Sequence, residues 1–161
     1  SWRRFERLSV GGRNKLSVVI SHQSLVRCLL YTDYAHHPTE IRATLTGARE
    51  MYPRKKIVCV FEPHQADRLK RLFEEFKTAF DAADETIILP VYRVLGREED
   101  VREKTSRDLV HAIRKETVRY AQNFKQAIFL LKNDLQNPST VVIFMSAGNL
   151  DAEVRAYVRV D

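Results

Sequence analysis

The chain has 161 residues, 44% hydrophobic and 30% charged, with only 5 Gly and 5 Pro. That suits one globular domain with a real core; it excludes a collagen, a disordered tail and, with 2 Cys, a disulfide scaffold. Lys and Arg total 27 against 21 Asp and Glu, and the net +6 favours anionic partners such as nucleic acid, phosphate ligands or acidic sugars, unless the excess is only solvated surface. The most apolar runs, Ile57 to Phe61 and Thr140 to Met145, fall far short of the ~20 residues a bilayer requires. The charged run Trp2-Arg3-Arg4-Phe5-Glu6-Arg7 is no secretory leader. Cys28 and Cys59 sit in apolar runs and read as buried free thiols in a reducing, cytoplasmic compartment. A start at Ser1 rather than Met is expected of a piece cut from a longer polypeptide.

Strands are predicted over Arg3 to Val10, Leu16 to Ile20 and Val26 to Thr32, with Gly11-Gly12 as a turn. Pro38 opens a helix, favoured there by its fixed backbone and by Glu40 in the first turn. Ile41, Leu45 and Ala48 form its buried stripe, and Tyr52-Pro53 ends it. Ile57 to Phe61 is a buried strand between charges. Leu69, Leu72, Phe73, Phe76 and Phe80 mark a second helix, and Thr86 to Leu89 another strand. After a polar loop, Thr105-Ser106 caps a helix carrying Leu109, Val110 and Ile113. A short strand over Val118 to Ala121 precedes a helix with Phe124, Ile128, Leu131 and Leu135. Thr140 to Met145 is the last strand; Ser146 to Asn149 turns into a final helix with Leu150, Val154 and Tyr157 inward.

Strand-helix alternation with short, wholly apolar strands predicts an α/β domain over 1–161: a Rossmann-like, mostly parallel sheet with helices on both faces. The N-terminal strands are expected to form an antiparallel edge hairpin. Sites in such folds lie beyond the carboxyl ends of the strands. Two of the loops there are chemically dense. In Asp33-Tyr34-Ala35-His36-His37-Pro38-Thr39-Glu40, polar groups meet a helix N-terminus, a ready anion site. Asp33 could accept from sugar hydroxyls, and a His could donate to phosphate or carboxylate or ligate a metal. The competing reading makes one His a cap and the other packing. No metal site is expected, because adjacent histidines do not easily share one ion and no further Cys or His follows at ligand spacing. In Phe61-Glu62-Pro63-His64-Gln65-Ala66-Asp67-Arg68, His64 and Arg68 are four apart and would share a helix face, able to grip a carboxylate. The alternative is a solvent-exposed helix start. There is no P-loop, no G-x-G-x-x-G and no G-x-S-x-G.

Asp33-Tyr34-Ala35-His36-His37-Pro38-Thr39-Glu40 resembles the D-Y-[GA]-H-H-P-T-E signature in the C-terminal domain of Mur ligases. Three further landmarks follow the same family in order: Arg3-Arg4-Phe5-Glu6, Phe61-Glu62-Pro63-His64 with Arg68, and Ser146-Ala147-Gly148-Asn149. Within the family the likeness is greatest to members acting on UDP-N-acetylmuramate and L-alanine. The resemblance implies the third domain of a cytoplasmic ligase of peptidoglycan precursor synthesis. An N-terminal domain holding the UDP-sugar and a central domain holding ATP, its P-loop and Mg2+ would lie outside this chain. The sugar carboxylate is phosphorylated by ATP; the amine of L-alanine or another amino acid then displaces phosphate to form an amide. The same resemblance implies that Arg4 stabilises the transferred phosphoryl group and Asp33 holds the ribose. It implies that Tyr34 and His36 line the site, and that His64 and Arg68 orient the amino acid through its carboxylate. None is a nucleophile. Gln65 stands where the family has a second arginine, Asp67 where it has threonine, and the stretch from Gly11 to Leu30 is longer than usual. Two other readings are a domain of the muropeptide-recycling ligase, which joins a peptide to the same sugar, and a basic nucleic-acid-binding module. The latter rests only on net charge and the run Arg54-Lys55-Lys56.

Overall fold

The computed structural model describes residues 5–8, 18–20, 24–92 and 104–158. Its strands are β1 (Glu6–Arg7), β2 (Val18–Ile20), β3 (Ser24–Val26), β4 (Leu29–Asp33), β5 (Lys56–Phe61), β6 (Glu85–Ile88), β7 (Val118–Tyr120) and β8 (Thr140–Met145). Its helices are α1 (Pro38–Met51), α2 (Ala66–Arg71), α3 (Phe73–Phe76), α4 (Ser106–Ile113), α5 (Phe124–Leu130), α6 (Lys132–Leu135) and α7 (Leu150–Val158). Six strands form one sheet in the order β1-β4-β8-β5-β6-β7. Only β1 is antiparallel to its neighbour, with Glu6 opposite Thr32; the other pairs are parallel.

A parallel strand covered on both faces must be apolar at every position. In β5, Ile57 through Phe61 are fully buried, and alternate residues serve opposite layers. Ile57, Cys59 and Phe61 join Ile41, Leu45, Leu69, Phe76 and Leu109 from α1 to α4. Val58 and Val60 join Ala127, Leu131, Leu135, Leu150 and Val154 from α5 to α7. β8 divides in the same way, with Val141, Ile143 and Met145 on the first layer and Val142 and Phe144 on the second. Phe76 and Phe80 meet Phe61 at ring distances of 5.7 and 5.4 Å. Both thiols are buried and free. Burial pushes the Cys28 thiol up to about 12 and raises Cys59 as well.

The predicted α/β architecture is present, with corrections in detail. The strand expected over Val26 to Thr32 is interrupted, because the backbone N–H groups of Arg27 and Cys28 both donate to the Leu135 carbonyl. Two successive amides cannot point at one acceptor and continue a ladder. The expected edge hairpin therefore divides: β1 is the antiparallel edge, while β2 and β3 pair in a separate two-stranded sheet against α7. The described part of the long 11–30 segment lies in that hairpin and in β4. The helix expected through Phe80 breaks at Leu72 (φ −107°, ψ 21°), and the one from Phe124 breaks at Leu131 (φ −84°, ψ −1°). In both, the stripe still faces the core: Leu69, Phe76, Phe80, Leu131 and Leu135 are buried, and Leu72, Phe73, Phe124 and Ile128 are half-buried against them. Tyr157, expected inward, is half-buried, whereas Leu150, Val154 and Val158 are buried. Lys56, in the basic run read as support for a nucleic-acid-binding module, opens β5 and pairs with Glu85 at 2.6 Å and Asp134 at 2.8 Å. Lys55 donates to the Pro138 carbonyl at 2.7 Å.

Candidate functional site

Loops after β4, β5, β6 and β8 all leave the carboxyl edge of the sheet, where α/β folds bind ligands. The β4 loop is organised by its own carboxylates. Asp33, 7% exposed, accepts from Ala35 N–H at 2.6 Å through Oδ1 and from Phe5 N–H at 2.9 Å through Oδ2. Thr44 Oγ1 adds a longer bond of 3.4 Å to Oδ2, and Ser146 N–H donates to the Asp33 carbonyl at 3.1 Å. Asp33 thus ties β1, its own loop, α1 and the β8 loop together. Its bond to Ala35 is a turn that an Asp two residues earlier can close by itself.

His37 caps α1, its Nδ1 accepting from Thr39 N–H at 3.3 Å, while Glu40 Oε2 accepts from the amides of His36 and His37 at 3.2 Å each. This reciprocal capping box fixes where the helix begins and leaves His36 for the site. His36 Nδ1 lies 2.9 Å from the Tyr34 carbonyl. A carbonyl only accepts, so Nδ1 carries the hydrogen and Nε2 is the ring's remaining acceptor in the neutral form. Tyr34, 43% exposed, meets the His36 ring edge-on at 5.2 Å.

The β5 loop answers from across β8. The His64 ring lies 6.2 Å from His36 and stacks on Tyr92 at 5.6 Å with planes 14° apart. Tyr34, His36, His64 and Tyr92 therefore make a row of rings bridging three loops. Beneath it, Glu62 accepts from Ser146 Oγ at 2.5 Å, and Gly148 N–H donates to that Oγ at 2.7 Å. Burial raises the Glu62 carboxyl above its ordinary value, and nearby Glu153 adds to this. The bonds from Ser146 and from the Leu150 backbone oppose the shift. A side chain at Gly148 would meet Glu62 Oε1 at 2.6 Å and the Tyr92 ring at 2.7 Å, so any larger residue there must push the carboxylate and the ring aside.

The helix expected to carry both His64 and Arg68 begins only at Ala66. Gln65 has φ 68° and gives α2 no side-chain cap; this non-glycine residue in the left-handed region is local strain of the kind found at binding sites. His64 precedes it, in an isolated parallel bridge with Tyr92. Arg68 lies within the first turn of α2. Its Nη1 is buried with no hydrogen-bond partner, an arrangement that costs free energy until an acceptor arrives. Asp67 faces away and pairs with Arg71 at 3.0 Å.

Of the six candidates, Tyr34, His36 and His64 meet through their rings, Asp33 anchors the loop behind them, and Arg68 stands on α2. Arg4 lies outside the described residues. Sequence reasoning missed Tyr92 and Glu62. Glu62 is inside a motif already quoted, and Tyr92 lies just after the predicted strand Thr86 to Leu89, where a parallel sheet places its binding loops. A second concavity of 180 Å³, lined by Ile128, Phe129, Lys132 and Tyr157 among others, gathers none of the candidate residues.

Fold and site define an α/β domain whose carboxyl-edge loops gather histidines and tyrosines near an arginine with one buried, unpartnered nitrogen. Residues 4–148 match the family described as Mur ligase, glutamate ligase domain, and the chain belongs to that family. A protein of Sulfurihydrogenibium named UDP-N-acetylmuramate--L-alanine ligase is 40% identical over 124 residues, covering 76% of this chain and 27% of that one. The crystal structure of UDP-N-acetylmuramate-alanine ligase from Thermotoga maritima superposes with a TM-score of 0.66 at 21% identity, over 98% of this chain and 29% of that one. A folylpolyglutamate synthase/dihydrofolate synthase of Yersinia pestis, solved with AMPPNP and a manganese ion, superposes at 0.58 with 20% identity, over 81% and 28%. The chain spans about a quarter of the length of the curated relatives it matches. Among the described residues, no helix is long and apolar enough to cross a membrane.

Proposed function

We propose that this chain is the amino-acid-orienting domain of an ATP-dependent ligase that joins L-alanine, or another amino acid, to UDP-N-acetylmuramate in peptidoglycan precursor synthesis in the cytoplasm. The observation that carries the reading is Arg68 Nη1, buried and without a hydrogen-bond partner, beside the loop that holds the family's histidine motif. An incoming carboxylate supplies the missing acceptor. With Gln65 in place of a second arginine, the grip rests on Arg68 and His64. Tyr34 and His36 line the approach between sugar carboxylate and nucleotide. Asp33 takes the nucleotide side, where it also fixes the loop, and Arg4 is assigned to the phosphoryl group being transferred.

The chemistry asked of these groups is positioning and charge neutralisation. ATP phosphorylates the sugar carboxylate, and the amine displaces phosphate from the acyl carbon, leaving amide, ADP and phosphate. No group of three or more His, Cys, Asp or Glu side chains among the described residues could hold a metal ion. Magnesium and the P-loop belong, in this proposal, to a central domain of the same polypeptide, with the UDP-sugar on an N-terminal one. The test is ADP release by the full-length polypeptide with UDP-N-acetylmuramate and a panel of acceptors. Turnover with a free amino acid is expected. Turnover with a tripeptide alone would move the chain to the muropeptide-recycling ligases, and no turnover with either would end the proposal. The nucleic-acid reading loses its basic run, since Lys55 and Lys56 are both engaged within the domain.

A further inference from the structure

We infer that Tyr92 is a positioning residue for His64, setting the imidazole in the orientation that meets the substrate carboxylate; this rests on the reading of His64 and Arg68 as the carboxylate grip. His64 lies outside α2 and before a residue at φ 68°, so no helical turn dictates where its ring points. Tyr92 does so by two means. Its backbone brackets His64: Tyr92 N–H donates to the Pro63 carbonyl at 2.7 Å, and the Tyr92 carbonyl accepts from Gln65 N–H at 3.4 Å. Its ring then stacks on the imidazole at 5.6 Å, nearly parallel.

The tyrosine is itself held. Its ring rests against Gly148, where an added Cβ would lie 2.7 and 2.8 Å from Cγ and Cδ2. Gly148 is bonded through Ser146 Oγ to Glu62, the residue two before His64. The β6 and β8 loops thus close on the β5 loop at one ring. The contact is made by the aromatic face, so phenylalanine serves as well as tyrosine.

The experiment compares Tyr92→Leu, Tyr92→Phe, Gly148→Ala and Arg68→Ala in the full-length polypeptide. A ring stack contributes about 0.5–1.5 kcal/mol, so Tyr92→Leu is expected to raise the amino-acid KM about threefold to tenfold. The KM for ATP and kcat should stay within about twofold. Tyr92→Phe should match the parent. Gly148→Ala, which displaces the ring from its other contact, should reproduce the leucine effect and keeps the inference testable if Tyr92→Leu does not fold. In NMR spectra the His64 ring-proton resonances should move in Tyr92→Leu and stay in Tyr92→Phe, a signature that general loosening would not confine to one imidazole. An unchanged amino-acid KM in Tyr92→Leu, alongside a raised one in Arg68→Ala, overturns the inference and leaves the grip standing. Equal loss in Tyr92→Phe and Tyr92→Leu also overturns it, since the hydroxyl would then be the working group. If Arg68→Ala leaves KM unmoved, the carboxylate reading itself falls, and unmoved His64 resonances in Tyr92→Leu would then overturn the positioning of the ring.

Discussion

The two edges of the sheet hold similar residue types in opposite states. At the amino edge the charges close on one another. Lys56 Nζ reaches Glu85 at 2.6 Å and Asp134 at 2.8 Å, and Glu85 also takes Arg119 at 2.8 Å. Arg49 joins Asp84 at 2.6 Å and donates to the Lys55 and Ala82 carbonyls. Burial opposes the Lys56 charge, yet its two carboxylate partners hold the ammonium above its ordinary value. At the carboxyl edge, Arg68 Nη1 is buried without a hydrogen-bond partner and the rings stand half-open. A closed edge is built for stability; under the proposed function the open one keeps its interaction free energy for a ligand.

Breaking each edge separates the two. Arg68→Ala should raise the amino-acid KM of the full-length polypeptide about tenfold to hundredfold, the range of a lost charged hydrogen bond. The thermal midpoint should hold or rise slightly, because the buried Nη1 has no hydrogen-bond partner in the domain; a midpoint that falls with no change in KM would make Arg68 structural. Lys56→Met should do the reverse. It leaves Asp134 buried without its cation, costing about 1–3 kcal/mol once screening at the lysine is allowed for, or roughly 3–9 °C in the thermal midpoint. KM should not change.

The smallest effect belongs to Glu62→Gln and is one of pH. The Glu62 carboxyl is raised by folding from 4.5. Its contribution to stability is therefore fully present below that value and is lost as pH rises through the folded one. Glutamine keeps an acceptor for Ser146 without a buried charge. The variant should be the more stable protein near neutral pH, with the difference fading in acid. Thermal melts across pH measure this; a constant difference at every pH would show that ionisation of Glu62 is not the cause.

What could be read in the sequence was what repeats or sits close along the chain. β5 and β8 are legible because strands buried on both faces must be continuous apolar runs. The start of α1 is legible because Pro38 and Glu40 are local signals. The loops of the site follow from the parallel sheet together with one specific motif. The breaks at Leu72 and Leu131 leave no mark, since the apolar stripe runs on across each. Lys56 looks like one of three exposed cations until Glu85 and Asp134, distant in sequence, come beside it. Asp33 reads as a ligand contact, yet its Oδ2 accepts from Phe5 N–H, 28 residues away. Tyr92 has no signal except its loop, because a ring stack between separate strands has no sequence period.

The place of β8 bears on how the domain can be made. It is the last of the described strands in sequence, yet it lies between β4 and β5 and pairs with both. Until residues 140–145 leave the ribosome, β4 has no parallel neighbour and the β5-β6-β7 half has an open edge. His36 and His64 belong to those two halves. The two halves cannot meet until the β8 residues are made, a long-range closure of the kind that slows folding and exposes strand edges. A chain stopped at Ser139 should therefore lose the ring row altogether, however well its separate helices form.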